Sequence, residues 1–330
     1  MKSLKIGAGM ALFLGLALTL GAVLYVGAGG LLRAAERIGW SGFTLYTLYN
    51  LGVFIPLGLA WWSVAPSVDA GRAMLFPWGR LVREAASDVL PLSQVGGLWA
   101  GVRAVRQRGI PEALAVASQI ADLVTEMAAQ LVYTLFGVAV LAAMLSHGAG
   151  ARSLLWSGLL ALGVGAACLA GFIALQGRGL DLLGALASRW IADTQARADA
   201  VKAVLKEIYG DPRRLAAGFL LHGLSWLLSG AGSFMALRFM GAHIEAWKVF
   251  ALESLMAAVR SVAFMTPGGL GFQESAYVLA APLFGVAPGG ALTLSLLRRA
   301  KDLVIGVGAM LAWQALERAA APARAAVGNS

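Results

Sequence analysis

Long uncharged blocks alternate along the chain with short charged segments. The blocks without Asp, Glu, Lys or Arg are residues 6–32, 38–68, 127–146, 153–177, 215–237 and 275–297. A membrane-spanning helix needs about 20 mainly apolar residues, and only helices and closed barrels satisfy their backbone hydrogen bonds in lipid. The blocks lack the alternating pattern of barrel strands. The pattern therefore predicts an all-α polytopic helical membrane protein with about seven or eight spans.

Two polar interruptions divide this pattern. Residues 66–110 contain an amphipathic stretch at 71–86, typical of an interfacial helix, and then a break at Pro91. Residues 265–287 contain a second break, at Pro267 and the glycines after it. We expect each break to give a broken or re-entrant segment, so the side of the C-terminus stays open.

The remaining boundaries follow from charge and hydropathy. We expect spans at about 6–26, 43–64, 112–145, 154–175, 215–237 and 249–265, and a last helix ending near 316. Residues 29–41 are predicted to be a loop, 178–212 a cytoplasmic amphipathic connector and 317–330 a flexible C-terminal tail. Residues 1–316 would then form a single transmembrane domain.

Composition agrees with this class. The chain is 59% hydrophobic and 13% charged, and its mean hydropathy is +0.76. A soluble domain carries about 25% charged residues. The net charge of +9 comes largely from basic residues after the second and fourth predicted spans. Such clusters mark cytoplasmic loops and attract anionic lipid. We therefore expect a cytoplasmic N-terminus and no nucleic-acid partner.

A weak repeat relates the two interrupted halves. Pro91 precedes Asp122 by 31 residues and Glu126 by 35. Pro267 precedes Arg298 by 31 residues and Asp302 by 35. Paired interrupted segments in corresponding positions point to a transporter's substrate site. An internal repeat and a chance match of two spacings both remain open.

Charged residues at membrane depth are the candidate site. They occur in pairs that share a helix face: Asp122 with Glu126, Glu253 with Arg260, and Arg298 with Asp302. Such residues usually face a polar cavity or one another. One hypothesis is a polar groove that accepts a lipid headgroup. The alternative is a set of internal salt bridges that binds no ligand.

The second break also permits two interpretations. Its sequence at 266–271 is TPGGLG, followed by Gln273 and Glu274. Free amides at a new helix N-terminus would favour an anionic group, whereas a tight turn would bind nothing. There is no Walker sequence and no His-Glu-x-x-His zinc pattern. We expect no catalytic residue, no metal site, no cofactor and no enzymatic activity.

Two motifs carry a family resemblance. Residues 264–275 read FMTPGGLGFQES, and residues 294–306 read LSLLRRAKDLVIG, with Ala-Trp-Gln at 312–314. With these motifs the chain resembles the flippase-like membrane family related to the transmembrane region of lysylphosphatidylglycerol synthases, closest to its hopanoid-biosynthesis-associated branch. The resemblance covers most of the chain but is specific only in the last quarter. The residues carried over from the motif are Pro267, Gly268, Gly269, Gly271, Gln273, Glu274, Arg298, Arg299 and Asp302.

The resemblance implies a multi-span protein of the bacterial inner membrane that moves or handles lipids. We therefore expect a lipid flippase or transporter with membrane lipids as partners, together with proteins of lipid biosynthesis. Two alternatives remain open: a membrane enzyme acting on a lipid or polyprenyl headgroup, and a non-transporting scaffold of a lipid-synthesis complex.

Overall fold

The fold is entirely helical where the chain is described. The computed structural model describes residues 28–89, 93–145, 151–187, 194–262 and 271–327, and these ranges contain no strand. The helices are α1 (Ala28–Ser63), α2 (Leu75–Val89), α3 (Ser93–Arg106), α4 (Glu112–Leu145), α5 (Ala151–Ala187), α6 (Thr194–Tyr209), α7 (Pro212–Phe239), α8 (Ala246–Val262), α9 (Phe272–Ala280) and α10 (Pro288–Val327). Short 3-10 turns occur at Ala70–Arg72 and Ala281–Phe284. This confirms the all-α polytopic prediction.

Four helices in the described ranges are long and apolar enough to cross a membrane: Glu36–Ser63, Glu112–Met144, Gly158–Gln176 and Pro212–Phe239. They coincide with four of the predicted spans. The predicted span at 6–26 lies outside the described residues. Large apolar side chains remain exposed along these helices, which suits contact with lipid rather than water. Examples are Leu48 on α1, Val132 on α4, Leu160 on α5 and Leu220 on α7.

Two of the predicted non-helical segments are helical. The predicted loop at 29–41 belongs to α1, which kinks at Gly39, where φ is 58° and ψ is −179°. The predicted loose tail from 317 belongs to α10, which continues to Val327. Glycines and charged residues suggested a loop in the first segment, but helix propensity is only a weak preference. Alanine, which is abundant in the second segment, is the best helix former.

The predicted connector at 178–212 is also different. We expected one amphipathic helix over most of it. Instead α5 continues to Ala187, and α6 covers Thr194–Tyr209. α6 packs against α4 and α5, and its buried Val201, Leu205 and Ile208 join a hydrophobic core with Trp61 and Phe76.

α9 is too short to cross a bilayer. It has nine residues, or about 14 Å at 1.5 Å per residue, against a hydrocarbon core of about 30 Å. It packs against α8 and α10. Its buried Tyr277 and Val278 face the interior, whereas Leu279 is exposed. The second predicted interruption thus contains a short helix that lies within the fold.

α1 and α2 approach each other most closely at Gly58. A Cβ atom on Gly58 would lie 2.1 Å from the backbone nitrogen of Pro77 and 2.2 Å from its Cα. Only glycine allows so close a backbone approach. α2 also packs against α3 and α10. Its junction with α1 helps to fix the position of α2, whose arginines lie beside α4.

Candidate functional site

Five side chains from three helices form a buried group that we call the first ion cluster: Arg80, Arg83, Asp122, Glu126 and His222. The arginines lie three residues apart on α2, and the acids lie four apart on α4, so each pair shares one helix face. His222 comes from α7. Asp122 and His222 are completely buried, and the two arginines are nearly so. The Glu126 side chain is 17% exposed.

The first ion cluster is held by short, charge-assisted bonds. Arg80 donates from Nη1 to Glu126 Oε2 over 2.9 Å and from Nη2 to Glu126 Oε1 over 2.5 Å. Arg83 donates from Nη1 to Asp122 Oδ2 over 3.1 Å and from Nη2 to Glu126 Oε2 over 3.1 Å. Bonds between two ionised groups are among the strongest in proteins. Both acids are therefore matched to guanidiniums.

The first ion cluster also contains a possible metal-ligand set. Asp122, Glu126 and His222 each offer an atom within 4.8 Å of the others. However, Arg80 and Arg83 already use the carboxylate oxygens. A cation placed there would meet two fixed positive charges at short range. The electrostatics favour an ion-pair network over a cation site.

The second ion cluster lies among α7, α8, α9 and α10. It consists of Ser233, Glu253, Tyr277 and Arg298. Arg298 donates from Nη1 to Glu253 Oε2 over 2.6 Å and to Ser233 Oγ over 3.0 Å. Tyr277 donates from its hydroxyl to Glu253 Oε1 over 2.5 Å. All four residues are buried, so both oxygens of Glu253 are satisfied inside the protein.

Glu274 closes the N-terminal end of α9. Its Oε2 accepts a hydrogen bond from the backbone N–H of Gly271 over 2.8 Å. Arg299 donates to both of its oxygens, with Nη2 lying 3.1 Å from Oε2. Gly271 has a φ of 79°, which glycine adopts without strain. The helix end that was predicted to bind an external anion is instead capped by the carboxylate of Glu274.

The predicted pair of Arg298 and Asp302 does not meet. Asp302 lies 2.5 Å from Lys301 and is partly exposed, whereas Arg298 points to Glu253 on another helix. Gln273 donates weakly to Ser295, at 3.5 Å. Pro267, Gly268 and Gly269 lie outside the described residues.

Two hydrogen bonds join α4, which carries the acids of the first ion cluster, to α8, which carries Glu253 of the second. Gln130 donates to the Ala257 carbonyl over 3.2 Å, and Tyr133 donates to the Phe250 carbonyl over 3.1 Å. The two helices are therefore antiparallel. Arg260 lies one turn beyond Ala257, toward the end of α4 that carries Glu126. Arg260 therefore lies near the level of Glu126 along these two helices.

Sequence patterns alone missed several members of these clusters. Arg80 and Arg83 were assigned to an interfacial helix beside the headgroups, but they are buried against Asp122 and Glu126. Their spacing from the buried Phe76 and Ser87 follows a helical stripe at i, i+4, i+7 and i+11, which could have revealed this. His222, Ser233 and Tyr277 gave no signal, because a lone polar residue in an apolar helix has no local partner to identify.

One comparison identifies relatives of the chain. The family model described as the lysylphosphatidylglycerol synthase TM region matches residues 12–309, which is most of the sequence. No curated protein and no solved structure matches it.

Proposed function

Because the chain belongs to the family of the lysylphosphatidylglycerol synthase TM region, we propose that it is a flippase or transporter of polar-headed lipids. Family membership and the apolar helices support a membrane protein that handles lipids. The finer proposal adds movement of a headgroup through a polar groove, a bacterial inner-membrane location and a cytoplasmic N-terminus. A hopanoid-related lipid and partner proteins of lipid synthesis are proposed from the motif resemblance alone.

One observation carries the proposal: ionised side chains are collected deep between apolar helices, beside a helix too short to span. Arg298 and Glu253 are both buried, and α9 brings Tyr277 and Glu274 to the same region. Charge in this environment is costly and generally serves a polar path. Broken or short helices at such sites are typical of transporters.

The internal pairing determines how such a path would work. Glu253 and Glu274 have both oxygens engaged, so a headgroup has to displace an internal partner to enter. The described conformation then corresponds to a closed groove. Because no Walker sequence occurs in the chain, the driving force would be an ion gradient or downhill lipid flow. We further propose that the lipid leaves chemically unchanged.

A leaflet-resolved assay tests this function. Purified protein is reconstituted into phosphatidylcholine–phosphatidylglycerol vesicles that carry a trace of fluorescent phospholipid, and dithionite quenches the label in the outer leaflet. We expect quenching to continue beyond the outer-leaflet fraction, and we expect Arg298→Ala and Glu274→Gln to abolish this excess. Glu245→Gln is the matched control, because Glu245 lies outside the apolar helices with its side chain 59% exposed. Protein-free vesicles give the baseline.

Two results would contradict the proposal. The first is wild-type quenching equal to that of protein-free vesicles for every labelled lipid tested. The second is full activity in both site variants at normal reconstitution levels. Mass spectrometry of the recovered lipid tests the chemical step, since a new product would favour the membrane-enzyme alternative.

The completeness of the ion pairs favours one second function, that of a non-transporting scaffold in a lipid-synthesis complex. In that case the pairs fix helix positions only. A scaffold would retain its partner proteins in a pull-down while showing no leaflet activity. A scaffold would also keep its function when the acidic and the basic residue of an ion pair exchange positions.

A further inference from the structure

Arg260 differs from the other arginines of the site. It lies in the last turn of α8, and its Nη1 is buried with no hydrogen-bond partner in the described parts of the chain. Arg80, Arg83, Arg298 and Arg299, in contrast, each bind at least one carboxylate. Arginine does not lose its proton in proteins. Arg260 therefore keeps one buried nitrogen without an acceptor, and it forms no salt bridge with any residue in the described ranges.

The nearby acids are already occupied. Glu253 lies seven residues earlier on the same helix, but Arg298 and Tyr277 take its two oxygens. Glu274, on the adjacent α9, is taken by Arg299 and a backbone amide. No carboxylate in the described ranges lies within ion-pairing distance of Arg260. Arg260 therefore has no acid of its own among the described residues.

The acids of α4 are engaged in the same way. Asp122 and Glu126 are bound by the two arginines of α2. The sequence of α7, which also packs against α8, contains no acidic residue. Neither neighbouring helix therefore supplies an ion-pair partner for Arg260.

The positive charge of Arg260 acts on the same buried side chains as the charge of Arg298. Buried Tyr46 on α1, Tyr133 on α4 and Tyr277 on α9 each interact electrostatically with both guanidiniums. These tyrosines come from three helices that enclose the region around α8. The charge of Arg260 therefore acts on the buried interior beside the second ion cluster, as well as on α4.

We propose that Arg260 binds the phosphate oxyanion of a lipid headgroup. A guanidinium nitrogen that is buried without an acceptor is unfavourable, and an anion that enters from outside relieves that cost. The planar fork of arginine matches the oxygens of a phosphate. A neutral polyol head would leave the charge uncompensated. This inference rests on the proposed function and names its substrate class, which is phosphate-bearing lipids rather than uncharged polar lipids.

Ligand-induced stabilisation of the purified full chain in detergent tests the inference. The midpoint of thermal unfolding is measured against increasing phosphatidic acid, diacylglycerol with the same acyl chains, or inorganic phosphate. The variants are the wild type, Arg260→Gln, Arg260→Lys and Arg238→Gln. Arg238 is the matched control, because it is an exposed arginine at the end of α7 that faces Phe234 and His243.

The expected result is specific to phosphate and to Arg260. Phosphatidic acid should stabilise the wild type and Arg238→Gln, while diacylglycerol should not. Arg260→Gln should weaken this binding roughly ten- to a hundredfold, as expected for the loss of a charge-assisted hydrogen bond. Arg260→Lys should restore part of it. Equal stabilisation by inorganic phosphate at the same concentration would overturn the lipid assignment and indicate a free-phosphate site.

Other outcomes overturn the inference altogether. Equal stabilisation by diacylglycerol and phosphatidic acid in the wild type would do so, even if Arg260→Gln failed to fold. Unchanged binding by Arg260→Gln would do the same. The leaflet assay separates the two proposals. Phosphate-dependent binding without translocation would contradict only the transport function. Translocation that is unaffected by the lipid phosphate and by Arg260→Gln would contradict only the present inference.

Discussion

Nε2 of His222 lies 2.9 Å from Oδ1 of Asp122, although 100 residues separate them in the chain. Neither side chain is exposed to solvent. The contact joins α7 to α4 and occupies the one Asp122 oxygen that the arginines of α2 leave open. Asp122 is thus the residue at which α2, α4 and α7 meet.

Asp122→Asn should destabilise the protein strongly. The change leaves Arg80 and Arg83 with Glu126 as their only shared buried acid. Removing one partner of a buried ion pair typically costs about 3–5 kcal/mol. Thermal unfolding of the purified protein, followed by tryptophan fluorescence, measures the effect. Glu84→Gln is the control, because Glu84 also pairs with Arg80 but its side chain is 36% exposed. Equal unfolding midpoints for the two variants would contradict this prediction.

Reversing the pair between Glu253 and Arg298 should separate structure from transport. Glu253→Arg and Arg298→Glu alone each bury like charges and should unfold the region. The double variant should recover part of the loss, with a coupling of about 0.5–3 kcal/mol, as for contacting residues. If the pair serves transport, the folded double variant should still fail the leaflet assay.

The same double variant also tests the scaffold alternative. A scaffold needs only the attraction between the two side chains, so it should keep its function after the reversal. The sequence alone paired Arg298 with Asp302 on one helix face. The structure shows that Glu253 is the ion-pair partner of Arg298, so the exchange has to be made there.

Variants at Glu274 should show a graded effect. Glu274→Gln keeps an oxygen that accepts from the Gly271 N–H but loses the charge opposite Arg299. Glu274→Ala loses both, including a helix cap that is typically worth about 1 kcal/mol. The expected order of unfolding midpoints is wild type, then Gln, then Ala. An alanine variant as stable as the glutamine variant would show that the cap contributes nothing.

Gly58→Ala should be much more damaging than Gly52→Ala. Both glycines lie on α1, but a Cβ at Gly58 would collide with the backbone of Pro77, whereas one at Gly52 meets nothing within 4 Å. We expect a loss of about 1–3 kcal/mol or more at Gly58. At Gly52 we expect a small gain, since alanine is the better helix former by about 1 kcal/mol. Comparable midpoints would show that α1 and α2 separate easily.

Helix boundaries with local chemical signals could be predicted from sequence. Asp211 accepts from the backbone N–H of Arg213 at the start of α7, and Pro212 opens that helix. An Asp-Pro pair before an apolar block is a helix start that sequence alone can indicate. The start of α4 after Pro111 was equally clear. The loop predicted at 29–41 was wrong because glycines and charges there resemble a turn. In the fold, Arg37 instead reaches the Met240 carbonyl from within a helix.

The candidate site was predictable only in part. The sequence identified buried acids and bases, since charge within an apolar block stands out without knowledge of the fold. It did not identify their partners. Arg80 and Glu126 lie 46 residues apart, and no periodicity within one helix relates them. Which charge stays unpaired depends on the complete set of tertiary contacts, so Arg260 could not be distinguished from Arg298 in advance.

The contact between Gly58 and Pro77 limits how the protein changes shape. Side chains between two helices act as a layer that slides and repacks, but here backbone touches backbone. A shift of α1 against α2 would therefore have to break this contact, and it would carry the arginines of α2 away from the acids of α4. An opening at α8, α9 and α10 would instead require only the exchange of side-chain bonds.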